Sequence, residues 1–364
     1  MHKTAAWPLA LIYMGLIVYA SLYPFAEWRN QGIAPWAFLA APLPKFWTGF
    51  DVAVNVAGYA PLGGLLALSA LRTGRFRHAI WASLAAAALL SLTMEVLQSY
   101  LPVRVPSRED WLLNTAGATL GAIVAVVMAR LGAIDRWSQF RARWFGPESR
   151  GGIVLLALWP LALLFPPAVP FGLGQVLERV EEALGEQLVD TPFLDWLPVR
   201  ETELQPLVPG AEMVCVMLGL LIPCLLAFCV VRSRSRRAVF VLMLVGAGVA
   251  VTALSAALSW GPFHAWAWLS MPVQFGMVLA GVLALVLALV PWRASASLLL
   301  LSLGVYLSLL NQAPESPYFA QTLHAWEQGR FIRFHGLAQW LGWLWPYATL
   351  FYVLSLIWRR DVKN

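Results

Sequence analysis

Three short stretches of the sequence each place an acid and an amide three or four residues apart, and two arginines lie between the second and third stretch. On a helix, these spacings put both side chains of a pair on one face. Guanidinium groups bind phosphate or carboxylate, amides and carboxylates bind hydroxyls, and a buried carboxylate can act as a general acid or base. The eight residues are Asp51 and Asn55, Glu95 and Gln98, Arg104 and Arg108, and Asp110 and Asn114.

The composition of the chain predicts a membrane protein. Of its 364 residues, 60% are hydrophobic and 12% are charged, and the mean hydropathy is +0.69. A soluble domain is about 45–50% apolar and about 25% charged. The net charge of +6 is spread over short clusters between apolar runs, which argues against a nucleic-acid partner. The cysteines share one apolar run without nearby histidines, so we expect no metal site at Cys215, Cys224 and Cys229.

Ten apolar runs have about the length that crosses a bilayer core, which predicts an all-α, polytopic helical membrane protein. Alternation of the spans places 17 of the 25 Lys and Arg residues on one side. By the positive-inside rule that side is cytoplasmic, so we expect both termini in the cytoplasm of a multi-pass inner-membrane protein. The candidate spans are residues 5–24, 52–71, 79–100, 111–131, 152–171, 211–231, 238–258, 272–292, 295–311 and 336–357.

Because neighbouring spans run in opposite directions, all three acid–amide pairs fall at one depth near the outer surface. A charge at the bilayer centre costs about 2.5–3.5 kcal/mol, and Arg104 or Arg108 would lower that cost as a counter-charge. Gly117 and Gly121 predict close approach of the fourth span to a neighbouring helix. Ser107 has the position of an N-terminal cap. We therefore expect an outward-facing cluster of acids, amides and arginines.

The chain divides into parts of different character. Residues 1–131 hold four spans that contain the polar pairs, and residues 132–151 form a basic cytoplasmic linker. Residues 152–364 hold six spans with few ionisable side chains, and this part includes a predicted amphipathic helix on the outer side near residues 172–190.

Four motifs in order resemble the VanZ-like family, which is named for a factor in teicoplanin resistance. They are "SLYPF", "NVAGYAPLGGLL", "SLTMEVLQSYLP" and the pattern R-x5-D-x3-N-x2-G-x3-G that starts at Arg104. The resemblance covers about residues 8–130. It implies an association with envelope glycans, lipids or glycopeptide antibiotics. The family's usual polar positions are matched by Asn55, Glu95, Gln98, Arg104, Asp110 and Asn114.

Three functional hypotheses remain open. In the first, the cluster recognises or handles an envelope lipid, a lipid-linked glycan or a glycopeptide through Asp51, Asn55, Gln98, Arg104, Arg108 and Asn114. In the second, the protein is an intramembrane enzyme with Glu95 as general acid or base and Asp110 as its partner carboxylate. In the third, the polar groups only hold the helices together. We expect membrane lipids as partners and no cofactor.

Overall fold

The computed structural model describes residues 6–23, 25, 27–42, 49–73, 78–193, 204–314 and 332–361. Over these residues the chain is helical and contains no strand beyond one isolated bridge between Phe145 and Val231. The all-α prediction is therefore confirmed. The helices are α1 (Ala6–Leu22), α2 (Gly49–Arg72), α3 (Ala79–Gln98), α4 (Arg108–Arg130), α5 (Ala133–Trp144), α6 (Arg150–Ala162), α7 (Leu177–Leu188), α8 (Pro209–Val230), α9 (Arg234–Trp260), α10 (Met271–Leu287), α11 (Trp292–Leu310) and α12 (Ile332–Asp361).

Among the described residues, seven helices are long and apolar enough to cross a membrane: α2, α3, α4, α8, α9, α11 and α12. The other three predicted spans coincide with α1, α6 and α10, which are apolar but shorter. The largest difference is in the predicted span 152–171, because α6 ends at Ala162. Three prolines between residues 166 and 170 remove backbone donors there, which disfavours continuation of the helix.

The chain forms two compact units, residues 1–139 and 140–364, and the division falls within α5. In the first unit, α2 packs against α4 with main chain against main chain. A Cβ atom added at Gly63, Gly117 or Gly121 would overlap the main chain of the facing helix. The predicted close approach of the fourth span is confirmed, and its partner is α2. Helix α1 packs on α2, and the Tyr13 hydroxyl donates a hydrogen bond to Gly58 O at 2.9 Å.

The second unit is built around α8. Every residue from 218 to 230 is buried, because α6, α9, α10 and α11 pack around this helix. The three cysteines lie within α8 and are buried free thiols. Helix α8 is therefore the apolar core of this unit, and the neighbouring helices carry exposed apolar side chains.

An irregular segment of the second unit, residues 163–176, is buried or half-buried and joins α6 to α7. Its main-chain groups are satisfied by distant side chains: the Tyr306 hydroxyl donates to Phe171 O at 2.7 Å and accepts from Leu173 N. Asn311 Oδ1 accepts from the amides of Val176 and Leu177, both at 3.1 Å. The amphipathic helix predicted near 172–190 therefore begins only at Leu177, where Asn311 satisfies its first amides.

Candidate functional site

Residues from α2, α3 and α4 form a polar cluster at one end of the first unit, where α3 ends and α4 begins. The connection between α3 and α4 spans only residues 99–107, so the end of α3 and the start of α4 lie at the same end of the unit. The cluster consists of Asn55, Tyr59, Ser91, Glu95, Ser107, Asp110 and Asn114.

Glu95 joins the end of α3 to the start of α4. Its Oε2 accepts a hydrogen bond from Ser107 N at 2.8 Å, and the Glu95 side chain is only 3% exposed. Ser107 Oγ in turn accepts from the amides of Glu109 and Asp110, at 3.1 and 3.3 Å. The predicted N-terminal cap is confirmed. Because the first amides of a helix have no partner within it, Ser107 and Glu95 together satisfy donors that would otherwise be buried without a bond.

Within the cluster, two hydrogen bonds between side chains connect α4 to the neighbouring helices. Asn55 Nδ2 donates to Asp110 Oδ1 at 2.8 Å, which links α2 to α4. Asn114 Nδ2 donates to Ser91 Oγ at 3.0 Å, which links α3 to α4. The structure thus brings Asn55, Asp110 and Asn114 together at the end of the unit where Glu95 also lies.

Gln98 and Arg104 make their described bonds with the end of α1. Gln98 Nε2 donates to Ser21 O at 2.9 Å, and Arg104 Nη2 donates to Tyr23 O at 2.6 Å and to Ala20 O at 3.5 Å. The last carbonyls of a helix lack partners within it and carry partial negative charge, so a guanidinium group stabilises them. These two residues therefore fasten α1 to the polar end of the bundle.

The remaining predicted site residues are Arg108 and Asp51. Arg108 is the first residue of α4 and its side chain is exposed. Asp51 lies in the first turn of α2, but its side chain falls outside the described residues.

The cluster contains buried polar atoms that make no hydrogen bond with the described part of the protein. They are the Tyr59 hydroxyl and Asn114 Oδ1, and both residues are 6% exposed. The Tyr59 hydroxyl lies near Ser91 without the geometry of a hydrogen bond, and it is within electrostatic range of Glu95 and Asp110. Such atoms can bind a water molecule or a hydroxyl group of a ligand.

The predicted set of site residues lacked three residues that contribute here, although the sequence places Ser91 one turn from Glu95 on the same helix. Tyr59 follows Asn55 by four residues on the same helical face, and this spacing was the available signal. Ser91 contributes the acceptor for Asn114, and Glu109 is 8% exposed although it lies beside the connection. The burial of Glu109 depends on the packing of neighbouring elements, and the residues next to Glu109 in the sequence do not reveal that packing.

Comparison with known proteins supports the resemblance drawn from the motifs. Residues 7–129 match the model of a family described as VanZ/LLP1, a membrane-protein family linked to teicoplanin resistance. The match includes every residue of the polar cluster and ends near the C-terminus of α4, so residues 130–364 lie outside it. No curated protein and no solved structure matches the chain significantly.

Proposed function

We propose that the polar cluster binds the hydroxyl-rich or phosphate-bearing headgroup of an envelope lipid, a lipid-linked glycan or a glycopeptide. The observation that carries this proposal is the pair of buried, unpartnered polar atoms in the cluster, the Tyr59 hydroxyl and Asn114 Oδ1. A buried polar group without a partner costs about 1–3 kcal/mol. A ligand hydroxyl that reached either atom would recover that cost, by accepting from the Tyr59 hydroxyl or by donating to Asn114 Oδ1.

Charge at the rim of the cluster suits the same class of ligand. Arg108 is exposed at the start of α4, and Arg104 is partly exposed in the connection from α3. Guanidinium groups at such positions bind phosphate or carboxylate. Apolar residues of α4, including Leu112 and Leu120, are exposed along the helix below the rim and fit the tails of a lipid. The distribution of Lys and Arg along the chain supports an outward orientation of this end.

The rival explanation is a purely structural role for the cluster. It is supported by Glu95, which holds the start of α4, and by Gln98 and Arg104, which bind the last carbonyls of α1. A structural role predicts, however, that removing a hydroxyl that makes no bond is harmless. The hypothesis of an enzyme with Glu95 and Asp110 as its carboxylates stays a prediction.

Tyr59→Phe and Tyr13→Phe form a matched pair that separates binding from structure. Tyr59→Phe removes a hydroxyl without a hydrogen bond in the described protein, whereas Tyr13→Phe removes one that binds Gly58 O at 2.9 Å. We expect Tyr59→Phe to keep membrane abundance and to keep or raise thermal stability, because it removes a buried group that makes no hydrogen bond, but to lose bound ligand. We expect Tyr13→Phe to lose stability by about 1 kcal/mol and to keep the ligand.

The measurement is native mass spectrometry of the full chain purified in mild detergent, with a polyprenyl-phosphate-linked glycan and teicoplanin each added as probes. Thermal stability and abundance are recorded on the same samples, and teicoplanin susceptibility of the host provides a cellular readout. If the Tyr59→Phe variant retained both probes and the phenotype at wild-type levels, the cluster would be a structural clasp.

A further inference from the structure

The second unit has an arginine-rich end that the proposed function does not involve. Arginines lie at the start of α6, in the turn from α8 to α9, at the start of α11 and at the end of α12. Contacts show that these termini meet: Arg237 Nη1 donates to Val290 O at 2.6 Å, and the Arg360 guanidinium lies 4.3 Å from the Trp292 ring centroid. The charge distribution of the sequence predicts that this end faces the cytoplasm.

Several of these arginines make contacts that stabilise the fold. Arg237 is 7% exposed and also donates to Ala288 O at 3.3 Å, so it fastens the end of α10. Arg236 lies 5.0 Å from the Trp144 ring centroid and donates to the main-chain oxygen of Arg143. These cations hold helix termini together.

Arg150 and Arg359 differ, because their exposed side chains border a cleft between the start of α6 and the end of α12. The cleft has a volume of about 620 Å³, within the range of roughly 300–1,000 Å³ typical of ligand sites. Tyr352, Ser355 and Trp358 line its α12 side. Glu148 also borders it, so the two guanidinium groups outnumber the carboxylate at this site.

An apolar stripe on α12 leads away from the cleft along the helix. Phe351, Leu354 and Trp358 are 70%, 47% and 71% exposed. Their spacing of three and four residues places them on one face. Tryptophan is favoured at the headgroup level of a bilayer, and phenylalanine and leucine are favoured against acyl chains. The charged cleft and the apolar stripe thus lie in the order of a phospholipid headgroup and its tails.

We infer that this cleft is a binding site for an anionic phospholipid. The phosphate binds Arg150 and Arg359, the Ser355 hydroxyl provides a further donor, and an acyl chain lies along Phe351 and Leu354. Basic clefts between helices on the cytoplasmic side recognise anionic headgroups in this way. The apolar stripe favours a lipid over free phosphate, because a soluble anion has no apolar part that could contact the stripe. The site is in the second unit and does not depend on the proposed function of the polar cluster.

The test compares two double variants of the full chain that lose the same charge. Arg150→Gln/Arg359→Gln removes the cations of the cleft, and Arg143→Gln/Arg234→Gln removes two exposed arginines outside it. Delipidated protein in mild detergent is titrated with phosphatidylglycerol, phosphatidylcholine or glycerol phosphate, and bound species are counted by native mass spectrometry. Helicity by circular dichroism confirms that both variants fold.

We expect wild-type protein and the control variant to bind phosphatidylglycerol with similar affinity and at least tenfold more tightly than phosphatidylcholine. The cleft variant should bind phosphatidylglycerol about thirty-fold more weakly, because it loses the attraction of two basic side chains to an anionic headgroup. Equal losses in both double variants would show a diffuse charge effect and overturn the site. Displacement of the lipid by equimolar glycerol phosphate would show a site for soluble anions instead.

Discussion

Replacing Gly63 with alanine tests whether main-chain contact between α2 and α4 holds the first unit together. The added methyl group would overlap the main-chain oxygen of Ala118, which cannot rotate away as a side chain would. Overpacking costs about 1–3 kcal/mol. Forcing the helices apart would also stretch the 2.8 Å bond from Asn55 to Asp110, whose net contribution is about 1 kcal/mol. We expect a total loss of about 2–4 kcal/mol in local stability.

Gly58→Ala is the matched control on the same helix, because a Cβ there meets nothing within 4 Å. Alanine in an open helical position is favoured over glycine by up to about 1 kcal/mol, so the two substitutions should have opposite signs. The assay is hydrogen–deuterium exchange of the full chain in detergent, read on peptides from α2 and α4, with α8 peptides as an internal reference.

A loss of 2–4 kcal/mol corresponds to a roughly 30- to 1,000-fold increase in exchange for Gly63→Ala. Exchange in Gly58→Ala should stay at or below the wild-type rate. The reasoning is refuted if Gly63→Ala leaves exchange in α2 and α4 within about threefold of wild type, or if Gly58→Ala accelerates it equally.

Two further predictions use the same exchange assay. A double-mutant cycle of Asn55→Ala and Asp110→Ala should give a coupling of about 1 kcal/mol, because each side chain is the other's partner at 2.8 Å; strictly additive effects would contradict this bond. Tyr306→Phe should increase exchange in residues 163–176 at least tenfold, because it removes both a donor and an acceptor from buried main chain. Tyr347→Phe, which loses one bond of 3.2 Å to the same segment, should have a smaller effect, and the reverse order would be inconsistent with the structure.

The sequence was enough to predict which helices carry the polar residues of the first unit and near which end of each helix they lie. Apolar runs near 20 residues indicate spans, so the positions of Glu95 and Asp110 near the ends of their spans indicate one end of the bundle. Ser107 was predictable as a cap, because capping depends on residues close in sequence. The resemblance over residues 8–130 was likewise carried by local motifs, and the match over residues 7–129 confirms it.

Side-chain partners were not predictable in the same way. The spacing of Gly117 and Gly121 indicates a close contact but does not identify α2 as the partner helix. The hydrogen bonds from Arg104 to main-chain oxygens at the end of α1 were not expected from the sequence. These oxygens are 81 and 84 residues away in the chain, so no local pattern of side chains points to them.

In the second unit, the sequence predicts which segments are apolar helices, whereas the tertiary structure decides which of these helices is enclosed. Hydropathy identifies α8 and α9 equally well as spans, because a helix in lipid and a helix in a protein core both have apolar surfaces. Only packing decides that α8 is enclosed while α9 keeps exposed residues such as Leu242. Apolar composition alone favoured a continuous span over residues 152–171. The helix instead ends at Ala162, because the prolines that follow disfavour its continuation. The side chains of Tyr306 and Asn311, more than 130 residues away in the chain, form hydrogen bonds with the non-helical backbone that follows.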